Sequence, residues 1–457
     1  MNRRTMLLTL TAFLYITFFH LWHWDVKIQA TAALFIIQIL WLGRVFTLAF
    51  SSLLFMLLLS FHFFTYEETL SYVASQVVWL LFSTYIIAKG FMKTGLAGRL
   101  SLKLLQLSKG SGKALILLSF FLMLVLSILV PSNIGKANLV TSVLDQLLKN
   151  LKKFGDITNL GKSLFIGVSY MSAISGAFVA TGASSTLYVF GLFTDIHPEL
   201  SYLTWILYFA PPILLFVFVL WGLFLFTFPP ESVEEEKLMY LLHERLEEMG
   251  VMNFGEKKMI AIMGITLLLW ATQSVHGFSI PLVGLLGASL TMVPGIGIWD
   301  WNEAKKAVNW DMMLFFASTL MVSGMLIETG TVDWMTSVIL GSANGYPPVL
   351  VLTIGLTMTM LIRLVFVNIL GFLTITIPLA ISIGESLAGF SSIVTAMAVF
   401  LAGVPGFFLI TQSPVHLISY SFGYFHDKDL FRIGISASAV WLVILLSFMF
   451  FVWRWSL

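Results

Sequence analysis

Long apolar stretches separated by short polar loops follow one another along almost the whole chain. About 20 consecutive apolar residues are needed for a helix to cross the hydrocarbon core of a bilayer. Stretches of suitable length lie at about 5–23, 28–43, 45–64, 73–91, 163–194, 203–227, 259–278, 280–297, 312–328, 389–424 and 433–453. The pattern predicts an all-α polytopic membrane protein with about 11 transmembrane helices.

Two further apolar stretches, at about 114–147 and 349–385, are interrupted in the middle by polar residues. The first contains Pro131-Ser132-Asn133, and the second contains Arg363 and Asn368-Ile369-Leu370-Gly371. Polar groups at the centre of a lipid-crossing helix are costly and commonly functional. We therefore predict two re-entrant hairpins whose polar tips lie near the middle of the membrane.

Composition supports this class and excludes others. Hydrophobic residues make up 58% of the 457 residues and charged residues only 11%, whereas soluble proteins carry about 25% charged residues. The net charge of +2 is small and the basic residues lie in short loops, which argues against a nucleic-acid partner. The absence of cysteine excludes disulfides and thiolate metal sites. We find no paired catalytic groups that would make the chain an enzyme, and we expect no cofactor.

The distribution of basic residues predicts the orientation in the cytoplasmic membrane. Cytoplasmic loops of membrane proteins carry an excess of lysine and arginine. With the N-terminus in the cytoplasm and the C-terminus outside, only Lys27 and Arg454 among the loop residues counted fall in outside segments. The apolar run after the first residues lacks a convincing cleavage site, so residues 1–24 are predicted to be a retained transmembrane helix.

A duplication with an offset of 235 residues runs through the chain. Thr94-Gly95 recurs as Thr329-Gly330, and Asn133 recurs as Asn368. Three spans, the Thr-Gly loop and an interrupted hairpin recur in the same order but start in opposite directions, so the repeats are predicted to be inverted. Inverted repeats with broken helices are typical of secondary transporters. The predicted organisation is a first repeat at 25–228, a cytoplasmic linker at 229–258 and a second repeat at 259–457.

The linker is charged and helix-prone, and it permits two interpretations. It is either a solvated connection between the repeats or a packed interfacial arm.

Each repeat is also predicted to contain a broken helix after its hairpin, at about 163–194 and 389–424. The first break is predicted at 181–186 (Thr-Gly-Ala-Ser-Ser-Thr) and the second at 411–416 (Thr-Gln-Ser-Pro-Val-His). Breaking a helix frees backbone carbonyls for cations and backbone N–H groups for anions. This chemistry suits a small anion, with or without a metal cation. Ordinary packing of small residues between helices is the alternative.

The layout resembles the divalent anion/sodium symporters, which carry di- and tricarboxylates or sulfate. Members of that family have eleven spans, two hairpins with Ser-Asn-Thr tips and Gly-Thr-Pro-Pro-Asn breaks. Ser132-Asn133 matches the first tip, whereas only Asn368 is kept at the second. The resemblance implies an elevator-type secondary transporter that works as a homodimer in the lipid bilayer, with sodium as coupling ion and no other metal.

The resemblance also implies the site residues. Substrate would be held by Ser132, Asn133, Ile134, Ser184, Thr186, Asn368, Ile369, Ser413, Pro414 and His416. The residues at or beside the cation sites would be Asn133, Lys136, Gly182, Arg363, Asn368 and Gln412.

Departures from the family pattern indicate an altered substrate or coupling. Both tip threonines are replaced, by Ile134 and Ile369, and a hydrogen bond to a charged partner contributes about 1.5–3 kcal/mol. A substrate less charged, larger or more apolar than succinate is therefore expected. Lys136 and Arg363 lie where cation-site residues of the family occur, so a fixed charge could replace sodium and make transport sodium-independent or only weakly dependent.

Both cations also permit structural interpretations. Lys136 could extend to cytoplasmic water, and Arg363 could belong to a buried pair. His416, which replaces the asparagine of the family's break, is either a proton-coupling group or a neutral hydrogen-bonding group.

The sequence thus favours a secondary active transporter of small organic anions, similar to di- or tricarboxylates. One alternative is a cation/proton antiporter, which would need an intramembrane carboxylate, for which only Asp145 and Glu385 are candidates. A non-transporting membrane sensor is the other alternative, because both tip motifs are degenerate.

Overall fold

The computed structural model describes residues 3–232, 234–343, 345–387 and 389–454, so the few other residues in the predicted domains lie outside it. The regular secondary structure in these ranges is helical. The helices before residue 250 are α1 (Arg3–Ile16), α2 (Val26–Leu42), α3 (Leu48–His62), α4 (Tyr66–Val73), α5 (Gln76–Lys93), α6 (Leu96–Gln106), α7 (Gly112–Leu129), α8 (Asn133–Leu151), α9 (Thr158–Gly176), α10 (Ser184–Ile196), α11 (Tyr202–Thr227) and α12 (Glu235–Glu248).

The later helices are α13 (Phe254–Ala271), α14 (Gln273–His276), α15 (Ile280–Leu290), α16 (Trp301–Ala304), α17 (Trp310–Glu328), α18 (Thr331–Ser342), α19 (Pro348–Ile362), α20 (Ile369–Ser386), α21 (Ser392–Gly403), α22 (Pro414–Ser421) and α23 (Asp427–Phe448). A π-helical turn continues α1 to Leu21 and another continues α23 to Trp453.

Seven helical segments within the described ranges are long and apolar enough to cross a membrane. They are Arg3–Leu21, Tyr66–Lys93, Gly112–Leu129, Tyr202–Thr227, Trp310–Glu328, Ile369–Ser386 and Asp427–Trp453. Shorter apolar helices include α2, α3, α15, α19 and α21. The all-helical membrane class is confirmed, whereas the predicted number of spans stays a prediction.

The interrupted stretches are each formed by two helices with a short non-helical tip. Residues 130–132 separate α7 from α8, and residues 363–368 separate α19 from α20. Ser132 ends the first tip as the N-cap of α8, and Asn368 does the same for α20. Because a cap side chain replaces a missing intrahelical partner, the polar tip residues are what allow the second arm to begin there.

In both broken helices, the first half ends and the break begins earlier than the sequence predicts. The first break covers residues 177–183 rather than starting at 181, and the second covers 404–413 rather than starting at 411. Pro405 explains the second difference, because proline has no backbone N–H with which to continue the hydrogen bonds of the helix. In the first break, the hydroxyl of Thr186 donates to the Gly176 carbonyl (2.7 Å) and satisfies the end of α9.

The Thr-Gly loops share one backbone conformation. Gly95 has φ 86° and precedes α6, and Gly330 has φ 65° and precedes α18. Residues with a Cβ rarely adopt this left-handed geometry, so glycine is favoured at both turns. The inverted duplication and its domain bounds stay predictions, for which these turns are a matching local feature.

The helices form two neighbouring groups around the hairpin tips. In one group α3 packs against α2 and α17, and α5 packs against α13 and α15. In the other, α9 and α22 pack against α8, and α20 packs against α21. The hairpin tips and the helix breaks thus belong to one group and face the ends of α2 and α17 from the other.

The segment between the two halves of the chain packs against other helices over part of its length. Helix α12 lies against α6 and α8 and buries Leu238, Leu241 and Leu242. The Glu231 carboxylate also accepts hydrogen bonds from the backbone N–H groups of Asn159 (2.7 Å) and Leu160 (3.0 Å). The solvated-connection interpretation is therefore wrong for this part of the linker, and the packed-arm interpretation fits it.

A buried ion pair anchors the end of the linker. The Arg99 guanidinium contacts both carboxylate oxygens of Glu256, at 2.6 and 3.2 Å, and its Nη1 donates to the Gly250 carbonyl at 2.9 Å. The hydrogen bond from Arg99 holds the pKa of Glu256, which precedes the predicted span, below its ordinary value of 4.5. A carboxylate with a lowered pKa stabilises the folded state at neutral pH, and this contribution disappears as the pH falls through that lowered value.

We therefore expect acid to loosen the junction between α12 and α13. Hydrogen-exchange protection of residues 249–256 should fall at least about tenfold as the pH drops well below 4.5. Glu256→Gln should already lack this protection at pH 7 and show little further change. The exposed Glu248→Gln variant is the control and should behave as the wild type. An unchanged pH response in Glu256→Gln would contradict the role of this pair.

Candidate substrate site

A cavity of about 650 Å³ lies between the two helix groups. One wall is formed by the hairpin tips, at residues 131–134 and 366–371, and by the breaks, at residues 183–185 and 413–415. The opposite wall is formed by the end of α2, the loop that leads into α3, and α17. The first wall is polar at its centre and the second is mainly aromatic and aliphatic.

The first hairpin tip leaves one acceptor without a partner. Ser132 Oγ accepts from the Gly135 N–H (3.0 Å), and Ser172 Oγ donates to the Asn133 carbonyl (2.8 Å). The side-chain oxygen of Asn133 is buried, and no donor among the described residues contacts it. Buried polar atoms normally have a partner, so this amide is held at the cavity with spare hydrogen-bonding capacity.

The second hairpin tip uses its asparagine differently. Asn368 Oδ1 accepts from the Leu370 N–H (2.9 Å) and caps α20. In the first hairpin Ser132 is the cap, and Asn133 is already the first helical residue. The two asparagines that the duplication aligns therefore have different bonding, because the second helix arm starts one residue later in the second hairpin.

Lys136 is fully buried and lies against the first helix break. Its ammonium contacts Ser127 Oγ, and it lies 3.3 Å from the Gly182 carbonyl and 3.4 Å from Ser175 Oγ. The interpretation that this side chain extends to water is wrong. A fixed positive charge instead sits among neutral oxygens, one of which is a backbone carbonyl freed by the break.

Arg363 is fully buried at the second break. Its Nε donates to the Gly403 carbonyl (3.0 Å), and its Nη1 contacts the carbonyls of Phe366 and Gln412. Nη2 has no acceptor among the described residues. The predicted alternative of a buried ion pair is wrong, because the partners of this guanidinium are backbone carbonyls.

The structure brings most of the predicted substrate residues to one cavity. Its lining includes Ser132, Asn133, Ile134, Ser184, Asn368, Ile369, Ser413 and Pro414. Thr186 and His416 are not part of the lining. The hydroxyl of Thr186 bonds the end of α9, and His416 Nδ1 is 3.0 Å from the Leu409 carbonyl.

The amide of Gln412 also has a structural role. Its Oε1 accepts from the N–H groups of Phe408 (3.1 Å) and Leu409 (3.3 Å) and closes the loop of the second break. Its carbonyl remains one of the acceptors of Arg363. Whether the predicted residues bind substrate or cations stays a prediction.

Chemically, this arrangement favours an anion. The tips offer amides and hydroxyls, and the two positive charges of Lys136 and Arg363 lie directly behind them without a carboxylate partner in the described ranges. Charges in a poorly solvated interior interact more strongly than charges in water. An anion in the cavity would therefore be attracted by both.

Comparison with known families agrees with this geometry. The family model described as the sodium:sulfate symporter transmembrane region matches residues 6–457. The chain belongs to this family. It is 24% identical to the L-tartrate/succinate antiporter of Escherichia coli K12, over 81% of this chain and 77% of that protein. It is 25% identical to YflS of Bacillus subtilis 168, described as a candidate malate transporter, over 61% of this chain and 59% of that protein.

Solved membrane transporters share the fold of this sodium:sulfate symporter family member. The YdaH transporter of Alcanivorax borkumensis superposes with a TM-score of 0.51 at 15% identity, covering 83% of this chain and 85% of that one. MtrF of Neisseria gonorrhoeae superposes with a TM-score of 0.52 at 13% identity, covering 84% and 82%. The resemblance to a transporter family drawn from the sequence is confirmed.

Several cavity residues of this family member were not predicted from the sequence. They lie on the wall opposite the hairpins and include Gln38, Trp41, Arg44, Thr47, Tyr85 and Asn309. The only sequence signal was Arg44, a charged residue between two apolar spans. The others are ordinary members of apolar helices or loops, and their position depends on packing.

A close approach at Gly176 gives a test of the first tip. A Cβ at this position would lie 2.8 Å from Asn133 Oδ1 and 2.9 Å from the Ala183 Cβ. Gly176→Ala is therefore expected to displace the tip and raise the Kd for a bound dicarboxylate at least about tenfold in calorimetry. Gly222→Ala, with no atom within 4 Å of the added Cβ, is the matched control and should bind normally. If Gly176→Ala binds the dicarboxylate with the wild-type Kd, the first hairpin tip does not contribute to the binding site.

Proposed function

We propose that this protein is a secondary transporter that exchanges small dicarboxylate-like organic anions across the cytoplasmic membrane without sodium coupling. The observation that carries this proposal is the position of Lys136 and Arg363. The Lys136 ammonium contacts the Gly182 carbonyl at the first helix break, and the Arg363 guanidinium contacts the Gly403 and Gln412 carbonyls at the second. In transporters with broken helices, such carbonyls are the groups that coordinate coupling cations.

A fixed cation has a different consequence from a bound sodium ion. A fixed cation cannot dissociate from the protein, so no ion gradient can drive transport through it. Without an anion, the two buried positive charges would have to move across the membrane uncompensated, and buried uncompensated charge is costly. A dianion compensates both charges, so the loaded carrier reorients more easily than the empty one. Obligatory exchange of anions follows from this difference.

The relatives support the same class of substrate. The Escherichia coli relative is an L-tartrate/succinate antiporter, and the Bacillus subtilis relative carries the description of a malate transporter. For this chain we infer movement of the hairpin group against the α2, α3 and α17 wall, an elevator-type mechanism. A homodimer with the N-terminus in the cytoplasm and the C-terminus outside completes the proposal.

The alternatives have weaker support. Asp145, a carboxylate that a cation/proton antiporter could use, is paired with Lys149 (2.7 Å) and accepts from the Tyr424 hydroxyl (2.9 Å). Glu385, the other candidate, is exposed and does not line the cavity. A sensor without transport would not need the charge compensation described above.

Proteoliposomes test the proposal directly. Vesicles loaded with succinate, L-malate or L-tartrate should take up the same labelled anion at equal rates in sodium and in choline medium. Empty vesicles should take up little under either condition. Sodium-driven uptake into empty vesicles would contradict sodium-independent exchange. Absence of transport with every anion would contradict the function itself.

A further inference from the structure

Three residues with N–H donors follow one another at a spacing of three at the end of α2. They are Gln38, Trp41 and Arg44, and all three line the cavity on the wall opposite the hairpin tips. Residues three apart on a helix lie on the same face. The turn continues to Arg44, because its backbone N–H bonds the Trp41 carbonyl (3.3 Å). We refer to these three residues as the α2 donor stripe.

The donors within the helix lack acceptors. Gln38 and Trp41 are each 9% exposed, and Gln38 Nε2 and Trp41 Nε1 are buried with no hydrogen-bond partner in the described part of the chain. Other buried indoles bond a backbone carbonyl: Trp205 with Ala177, Trp270 with Ile280 and Trp441 with Leu401. Because buried donors normally have an acceptor, the pair on α2 departs from the pattern of this same protein.

Trp41 is also held rigidly. Its ring packs edge-on against Phe315, with the ring centroids 4.6 Å apart, and lies 6.4 Å from the ring of Phe55. A side chain fixed between two aromatic rings presents its N–H in one direction. Little conformational freedom is lost when such a side chain binds a ligand. Because Trp41 Nε1 and Gln38 Nε2 are both covered in this structure, a carboxylate reaches them only after neighbouring side chains of the wall move.

Arg44 occupies a backbone conformation that favours glycine. Its φ is 49°, at the left-handed position just beyond the end of α2 where glycine usually ends a helix. Its side chain is exposed at the rim of the cavity and forms no ion pair with a described residue. Within the described ranges, neither aspartate nor glutamate lines the cavity. A strained position thus carries the only charged side chain that the described residues contribute to the lining.

We propose that the α2 donor stripe is a second anion subsite, which binds the carboxylate of the substrate that lies farthest from the hairpin tips. The inference rests on the proposed function and extends it to a substrate class. Donors on the α2 wall, together with the amides and hydroxyls of the hairpin tips on the other wall, match an anion with a carboxylate at each end. Both walls also contribute apolar side chains to the cavity, among them Ile134 and Ile369 on one wall and Phe315 on the other. The preferred substrate is therefore a dicarboxylate with an apolar body between its charged ends.

Binding to the purified protein tests this subsite. The probes are succinate, glutarate and adipate, each compared by calorimetry with the monocarboxylate of the same carbon number. Arg44→Gln should raise the Kd of the best dicarboxylate about 10- to 100-fold, because a hydrogen-bonded charge is lost. The Kd of the matched monocarboxylate should change by less than about twofold. Lys306→Gln removes an exposed charge from the loop before α17, outside the lining, and should leave dicarboxylate binding unchanged.

Two conservative variants test the buried donors. Trp41→Phe and Gln38→Met keep the apolar shape and remove the N–H groups, so each should weaken dicarboxylate binding about 5- to 10-fold. Arg44→Gly relieves the left-handed strain and should keep or raise the melting temperature without ligand while losing dicarboxylate affinity. That combination is opposite to what a purely structural role would give.

The outcomes separate the two proposals. If wild-type protein binds dicarboxylates and the Arg44, Trp41 and Gln38 variants bind them equally well, the second subsite is wrong and the transporter proposal stands. If Arg44→Gln weakens monocarboxylates and dicarboxylates to the same extent, the assignment of the second carboxylate is wrong. If the wild type binds none of the anions, the result contradicts the proposed function itself, and the second subsite falls with it.

Discussion

Replacing Arg363 with leucine is expected to lower the free energy of unfolding by about 3 kcal/mol or more. The substitution removes the donor of three backbone carbonyls, those of Gly403, Phe366 and Gln412, and leaves them in a buried region. Each unsatisfied buried acceptor costs about 1–3 kcal/mol. The midpoint of thermal unfolding in detergent should fall accordingly, and exchange transport should be lost with it.

Two further variants show which property of Arg363 matters. Arg363→Lys keeps the charge but not the planar fork, so stability and exchange should be intermediate. Arg432→Gln changes an exposed arginine on α23 and is the control for loss of a surface charge. Thermal unfolding of Arg363→Leu at the wild-type temperature would contradict the structural part of this prediction. Normal exchange by the same variant would contradict its role in charge compensation.

The membrane class and the position of the hairpins were predictable because they depend on the length of apolar runs. A polar residue such as Asn133 inside an apolar run is visible without knowledge of the fold. The same local signal found most of the polar cavity wall, including Ser184 and Ser413. Local composition was therefore sufficient to predict most of the polar residues that the hairpins and the helix breaks contribute to the site.

The limits of the breaks were not predictable to the residue. The end of α9 depends on a hydroxyl ten residues away, since Thr186 satisfies the Gly176 carbonyl. The loop before α22 is closed by the side chain of Gln412, which bonds two backbone N–H groups. Such contacts compensate a broken helix, and a sequence pattern gives the residues without giving their partners.

The second wall of the cavity was missed for a related reason. Gln38 and Trp41 lie in an apolar helix, and only the packing of α2 beside α3 and α17 decides which face of it meets the cavity. The linker shows the same limit. Its charge pattern indicated a helix, but the burial of Leu238 and Leu242 depends on α6 and α8.

Removing the Lys136 ammonium is expected to create a sodium dependence that the wild type lacks. Lys136→Ala leaves Ser127 Oγ, Ser175 Oγ and the Gly182 carbonyl around a small space. Without sodium, exchange should fall about 10- to 100-fold, because the compensating charge is gone. Neutral oxygens are ligands that hard cations prefer, so high sodium should restore a measurable part of the rate.

Matched variants make the result specific. Lys136→Met fills the same space with an uncharged side chain of similar length, so its exchange should be low and should not respond to sodium. Lys149→Ala removes an exposed lysine from the same helix and should leave exchange sodium-independent. The double variant Lys136→Ala plus Arg363→Ala should lose exchange in choline medium altogether.

The decisive comparison is the ratio of exchange rates in sodium and choline media, measured in the same proteoliposomes. A ratio near one for the wild type and well above one for Lys136→Ala supports replacement of sodium by a fixed charge. Equal and strong sodium dependence in both proteins would contradict it, because the ammonium would then coexist with a working sodium site. Exchange by Lys136→Ala at the wild-type rate in choline would contradict it as well, since the buried charge would then contribute nothing to transport.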